Sequence, residues 1–122
     1  MTCVWDSLVS GLNKLNFNVN RNSLLTHIKT NNKKTNTVKW NGESILEKMQ
    51  DENYEAVTNI TISNEGYFCS TCDPLMLIIC ELYNVSIEHS YNGHIMKYTM
   101  TDSKHLIKLS SNCGHMMWIS SS

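Results

Sequence analysis

The sequence predicts an α+β domain in which N-terminal helices pack on a small, mainly antiparallel sheet. Three observations carry this expectation. Val4, Trp5, Leu8, Val9, Leu12 and Leu15 recur at the three-to-four-residue spacing of a helix with one buried face. Cys72-Asp73-Pro74 opens a nearly unbroken apolar run through Leu82. Four short strand candidates then follow in quick succession, the first two joined by Asn92-Gly93. Helices first and antiparallel strands afterwards is the α+β order. A chain of 122 residues forms one domain, 1–122, with a single modest core.

In chain order, the first helix starts at Cys3 and fades near Leu15, where Asn16-Phe17-Asn18-Val19-Asn20 lacks helix formers. A second helix is expected from Ser23 to about Lys29, capped by Asn22 or Ser23, with Leu24, Leu25 and Ile28 on one face. Residues 30–37 have nothing to bury and read as a loop, with Lys33 and Lys34 a solvated patch. Val38-Lys39-Trp40 reads as a brief strand or a packed turn. Ile45, Leu46 and Met49 suggest a third amphipathic helix over Glu43–Met49. Residues 56–62 alternate weakly as an exposed strand, and Asn64-Glu65-Gly66 reads as a turn.

The clearest local structure is the next helix. Asp73 suits its N-cap and Pro74 its first position, where a missing N–H costs nothing. Its apolar composition predicts burial almost all round, as the spine of the core. The strands expected after it are Val85–His89, Ile95–Thr99, Leu106–Leu109 and Met116–Ile119, arranged as an antiparallel meander.

Composition narrows the function classes. The formal net charge of −1 gives no reason to expect nucleic acid as a partner. No apolar run approaches the about 20 residues of a membrane helix, and the Asn-rich region after residue 12 does not read as a signal peptide. A soluble, intracellular protein is expected. The sequons Asn59-Ile60-Thr61 and Asn84-Val85-Ser86 then carry no glycan, and the five cysteines are reduced thiols rather than a disulfide frame.

Two positions carry chemistry. Cys3 lies at a helix start, where unpaired N–H groups and the positive end of the helix dipole favour a thiolate. His115 enters the last strand from a turn, and Gly114 before it lets an extended backbone come close. A histidine held at a strand end suits general-base work. A nucleophilic thiol at a helix N-terminus and a base from another element form the layout of a cysteine peptidase. Burial alone also accounts for a cysteine beside an apolar helix face, and a hydrogen-bonded structural role for a lone histidine.

Cys3-Val4-Trp5-Asp6-Ser7-Leu8 resembles the nucleophile helix of the ovarian tumour (OTU) class of cysteine proteases. The block from Gly66 to Ile87, with Leu75, Leu77, Ile79, Glu81, Leu82, Tyr83, Asn84, Val85 and Ile87, is similar to the family's passage from a buried helix into a strand. Gly114-His115, with Trp118 following, falls where the family carries its catalytic histidine. The resemblance covers residues 3–12 and 66–119.

It implies a viral thiol protease that hydrolyses the bond after a ubiquitin-type Gly-Gly tail, and that also processes a viral polyprotein. Ubiquitin or ubiquitin-like conjugates and that polyprotein are the implied partners, the host cytoplasm the setting, evasion of host innate immunity the role. No cofactor is implied. Cys3 is the implied nucleophile and His115 the base. Backbone N–H groups at the start of the first helix form the oxyanion site. Thr2, Cys3, Asn112, Gly114 and Trp118 are the candidates for oxyanion and tail binding. Two departures are visible: only Met1 and Thr2 stand where the family has an Asp-Gly loop, and Met117 stands where many members orient the histidine with an acid or amide. The orienting group is then absent, in a Cys–His dyad, or supplied by Asn112 or Asp102.

Two other readings compete. Cys69-Ser70-Thr71-Cys72 has the two-residue gap that lets two thiolates share a zinc ion, and Cys113 and His115 complete a Cys₃His set. A zinc-bound imidazole cannot serve as general base, so the readings exclude each other at His115. An inactive ubiquitin- or protein-binding module is the third, with the middle of the chain as its contact surface.

Overall fold

The computed structural model describes residues 3–59, 73–112 and 115–122. Within them the order is α1 (Cys3–Lys14), α2 (Arg21–Thr30), β1 (Val38–Trp40), β2 (Glu43–Ser44), α3 (Glu47–Asn59), α4 (Pro74–Tyr83), β3 (Ser86–Tyr91), β4 (His94–Met100), β5 (Leu106–Ser111) and β6 (Met116–Ser121). The strands form one sheet in the order β2-β1-β4-β3-β5-β6. The protein is α+β, with helices leading the chain.

The core grows from the apolar faces seen in the sequence. Val4, Trp5, Leu8 and Leu12 of α1 are fully buried, with Leu24 and Ile28 of α2, and Leu25 is buried beside them. Pro74 through Cys80 are all buried, so α4 is the spine expected of it, and Cys80 is buried and in no disulfide. Asp73 caps α4: its carboxylate accepts the backbone N–H of Leu75 at 2.8 Å and of Met76 at 3.4 Å. Its own N–H donates to the hydroxyl of Tyr98 at 2.8 Å, which ties the helix start to β4. Burial pushes the Asp73 carboxyl up to about 7.

Side chains alternate across the sheet. Ile87 and His89, Met96 and Tyr98, and Ile107, Leu109 and Ser111 are buried on the side of the helices. Glu88, Lys97 and Lys108 stand side by side in register on the other face. Asn92-Gly93 makes the expected tight turn, with φ of 48° and 86°.

The structure corrects four expectations. Helix α2 is capped by Asn20, whose side chain accepts from Ser23 N–H while the Ser23 hydroxyl receives the Asn20 N–H, both at 2.9 Å. Ser23 is thus the reciprocal partner in a capping box rather than the cap. Glu43–Ser44 is a short edge strand paired with β1, because Asn41-Gly42 turns the chain back with φ of 53° and 84°. The third helix begins at Glu47 and runs to Asn59, which replaces the strand expected from residue 56; residues 60–66, including the turn at Asn64-Glu65-Gly66, lie outside the described ones.

Strands β3 to β6 are not a simple meander. β5 lies parallel to β3 on the side away from β4, while the other four pairings are antiparallel. The far edge of β4 is occupied by β1, and the segment 101–105 carries the chain past the start of β3. Ser103 holds it there by donating to the Asn84 carbonyl at 2.8 Å. Ser86 N–H then donates to the His105 carbonyl at 2.9 Å.

Lys33 and Lys34 are exposed as expected, yet each meets a carboxylate: Glu81 at 3.7 Å and Asp51 at 2.7 Å. Thr37 also bonds Glu81, so the loop is fastened to α4. No helix among the described residues is long and apolar enough to cross a membrane.

Candidate functional site

Helix α1 lies on β6 and β5 through small residues. Gly11 lets it come close: a Cβ there would fall 2.7 Å from Cγ2 of the buried Ile107. The Gly11 carbonyl accepts the Ser121 hydroxyl at 2.9 Å, and Trp118 donates its indole N–H to that same oxygen atom at 2.9 Å. One turn earlier, the buried Ser7 hydroxyl donates to the Met116 carbonyl at 3.2 Å. Helix and strand therefore run in the same direction, their starts at one end of the molecule.

That seating brings the sequence-predicted elements together. α1 begins at Cys3, four residues or about 6 Å of axis before Ser7. His115, exposed, immediately precedes Met116, the residue that Ser7 holds. The N-terminal turn of α1 thus faces the same end of the sheet as the His115 turn.

Asn112 N–H donates to the His115 carbonyl at 2.9 Å and so closes the β5–β6 connection. Trp118 is on β6, 36% exposed and fixed in direction by its bond to Ser121. Met117, paired with Ser110, is 51% exposed and offers no orienting carboxylate. Asp102 is at the other end of β5, whose length of six residues separates it from the His115 turn by roughly 17 Å. It is therefore removed as an orienting group.

Thr2, Cys69, Cys72, Cys113 and Gly114 lie outside the described residues. Among the described residues no group of three or more His, Cys, Asp or Glu side chains is arranged to hold a metal ion.

The structure adds a buried polar pair that sequence reasoning missed. His89 Nε2 is 2.5 Å from the Ser111 hydroxyl, and both residues are buried beneath the helix layer. Burial pulls the His89 imidazole down to about 4, so it is neutral at neutral pH. One signal was available: strand alternation puts His89 on the same face as Ile87. The seating of α1 was likewise announced by Ser7 and Gly11, small residues at a four-residue spacing.

Comparison of the chain with protein-family models, curated proteins and solved structures returns no match.

Proposed function

We propose that this chain is an OTU-type viral cysteine protease that hydrolyses the bond after a ubiquitin-type tail, and that it also cuts a viral polyprotein. One observation carries the reading: the Ser7–Met116 contact brings the start of α1, where Cys3 stands, to the end of the sheet where His115 stands. A nucleophile on a helix N-terminus and a base entering from a strand is an arrangement that suits acyl transfer to a thiol.

In the reaction, His115 takes the Cys3 thiol proton and the thiolate attacks the tail carbonyl, forming the C–S bond. Charge gathers on the carbonyl oxygen, where the N–H groups of the first turn of α1, including that of Cys3, stabilise it. The C–N bond then breaks, and His115 gives its proton to the leaving amine. Water cleaves the resulting thioester, releasing the tail carboxylate and restoring the thiol.

Trp118 forms a wall beside the tail and Asn112 flanks it, while Thr2 and Gly114 stay tail-binding candidates on the resemblance alone. The partners are ubiquitin or ubiquitin-like conjugates and the polyprotein, and the site of action is the cytoplasm of an infected cell, where removing ubiquitin blunts innate defence. The reaction needs no cofactor. Hydrolysis of a fluorogenic ubiquitin C-terminal amide tests this: Cys3→Ala abolishes turnover and His115→Ala lowers it at least about a hundredfold. Turnover that survives Cys3→Ala contradicts the assignment.

A further inference from the structure

We infer that His89 is a positioning residue for the turn that carries His115, acting through the hydroxyl of Ser111; this rests on the reading of His115 as the base. His89 is fully buried on β3, level with Met96 of β4 and Leu109 of β5. Among such neighbours an apolar side chain is the ordinary occupant. The imidazole instead leaves its Nδ1 without a partner among the described residues, at the cost of that nitrogen's desolvation. What it obtains is the bond from Nε2 to Ser111.

Ser111 is the last residue of β5, and several constraints meet on it. Its hydroxyl is held by His89, its carbonyl accepts the Asn92 N–H at 3.1 Å, and it faces Met116 across the β5–β6 pair. The next residue, Asn112, bonds the His115 carbonyl. On the other side of the turn, Met116 is held by Ser7. Both feet of the turn are thus fixed by buried polar groups, one from β3 and one from α1. His115 itself is exposed, so its direction depends on those feet staying in place.

The test uses the full chain and the fluorogenic ubiquitin amide. Ser111→Ala and His89→Leu are expected to lower kcat about tenfold or more, with KM changed less than about twofold. Ser111→Thr and His89→Gln, which restore a hydroxyl or a side-chain donor, recover most of that loss. Ile87→Val loosens the same face of β3 without touching a polar group, lowers Tm, and keeps kcat within about twofold of the native value. In ¹H–¹⁵N spectra the amides of Asn112, His115 and Met116 shift in Ser111→Ala and stay in place in Ile87→Val.

Loss of kcat in proportion to loss of Tm across all variants, Ile87→Val included, overturns the inference. So does an active native chain whose Ser111→Ala variant keeps its kcat; in that case the assignment of Cys3 and His115 stands. A native chain inert towards the ubiquitin amide overturns both.

Discussion

Replacing Gly11 by alanine tests how α1 is seated on the sheet. The added Cβ would lie 2.7 Å from Ile107 Cγ2, 3.4 Å from its Cδ1 and 3.5 Å from Ser121 Oγ. Ile107 is fully buried on β5, between β3 and β6, and Cγ2 branches directly from its Cβ. The methyl cannot swing aside, so the helix must rise or the strand must shift. Overpacking of this kind costs about 1–3 kcal/mol. Alanine also returns about 1 kcal/mol of helix propensity relative to glycine.

The net expectation is a loss of about 1 kcal/mol for Gly11→Ala, and about 3 kcal/mol or more for the β-branched Gly11→Val. Urea unfolding followed by tryptophan fluorescence reads the change, since Trp5 is fully buried in α1. Ile107→Ala alone costs about 2–5 kcal/mol, but it also removes the clash. The double variant should therefore lose less than the two single losses combined, by about 1 kcal/mol. Gly11→Ala more stable than the native chain, with effects that simply add, would refute the close seating.

Ser7→Ala, which frees the Met116 carbonyl, should cost about 1 kcal/mol in the same assay and slow hydrolysis of the ubiquitin amide more than Gly11→Ala does. His89→Gln should flatten the response to acid. With its pKa held below the unfolded value of about 6.5, His89 contributes stability that is full above that pH and fades as pH falls towards 4. The native chain should lose about 2 kcal/mol more than His89→Gln between pH 7 and 4.5. Asp73, with its pKa raised to about 7, acts in the opposite sense in that interval, so the comparison is made between chains that differ only at position 89. EDTA should leave turnover unchanged. Zinc measured at one ion per chain would instead assign Cys69, Cys72, Cys113 and His115 to a metal site.

Local signals were readable where one short segment decides the outcome. Asp73-Pro74 fixes the start of α4 by capping and by a fixed φ, and Asn92-Gly93 fixes a hairpin by tolerating positive φ. The same logic applied at Asn41-Gly42, where the apolar residues Ile45, Leu46 and Met49 drew attention to a helix instead. Leu46 is 73% exposed, so Ile45, Leu46 and Met49 do not form a buried helical stripe. Ser23 shows a finer limit: three polar residues within four positions all make plausible caps, and only the reciprocal bond with Asn20 selects one.

Long-range pairings were less readable. The parallel β3–β5 pair depends on β1 occupying the far edge of β4, which no segment of the chain records by itself. The site divides in the same way. Cys3 and His115 are visible as ends of local elements. Ser7 with Met116 and His89 with Ser111 are contacts across 109 and 22 residues, and they exist only once the sheet has formed.

The central claim, that Cys3 at the head of α1 and His115 at the head of β6 form one reaction centre, is tested most directly by covalent capture. Ubiquitin bearing a C-terminal thiol-reactive warhead is incubated with the native chain, Cys3→Ala and His115→Ala, and the products are mapped by mass spectrometry. One adduct per native chain, on Cys3, absent from Cys3→Ala and slowed in His115→Ala, is the predicted result. No adduct on a folded native chain, or an adduct on another cysteine, would contradict it.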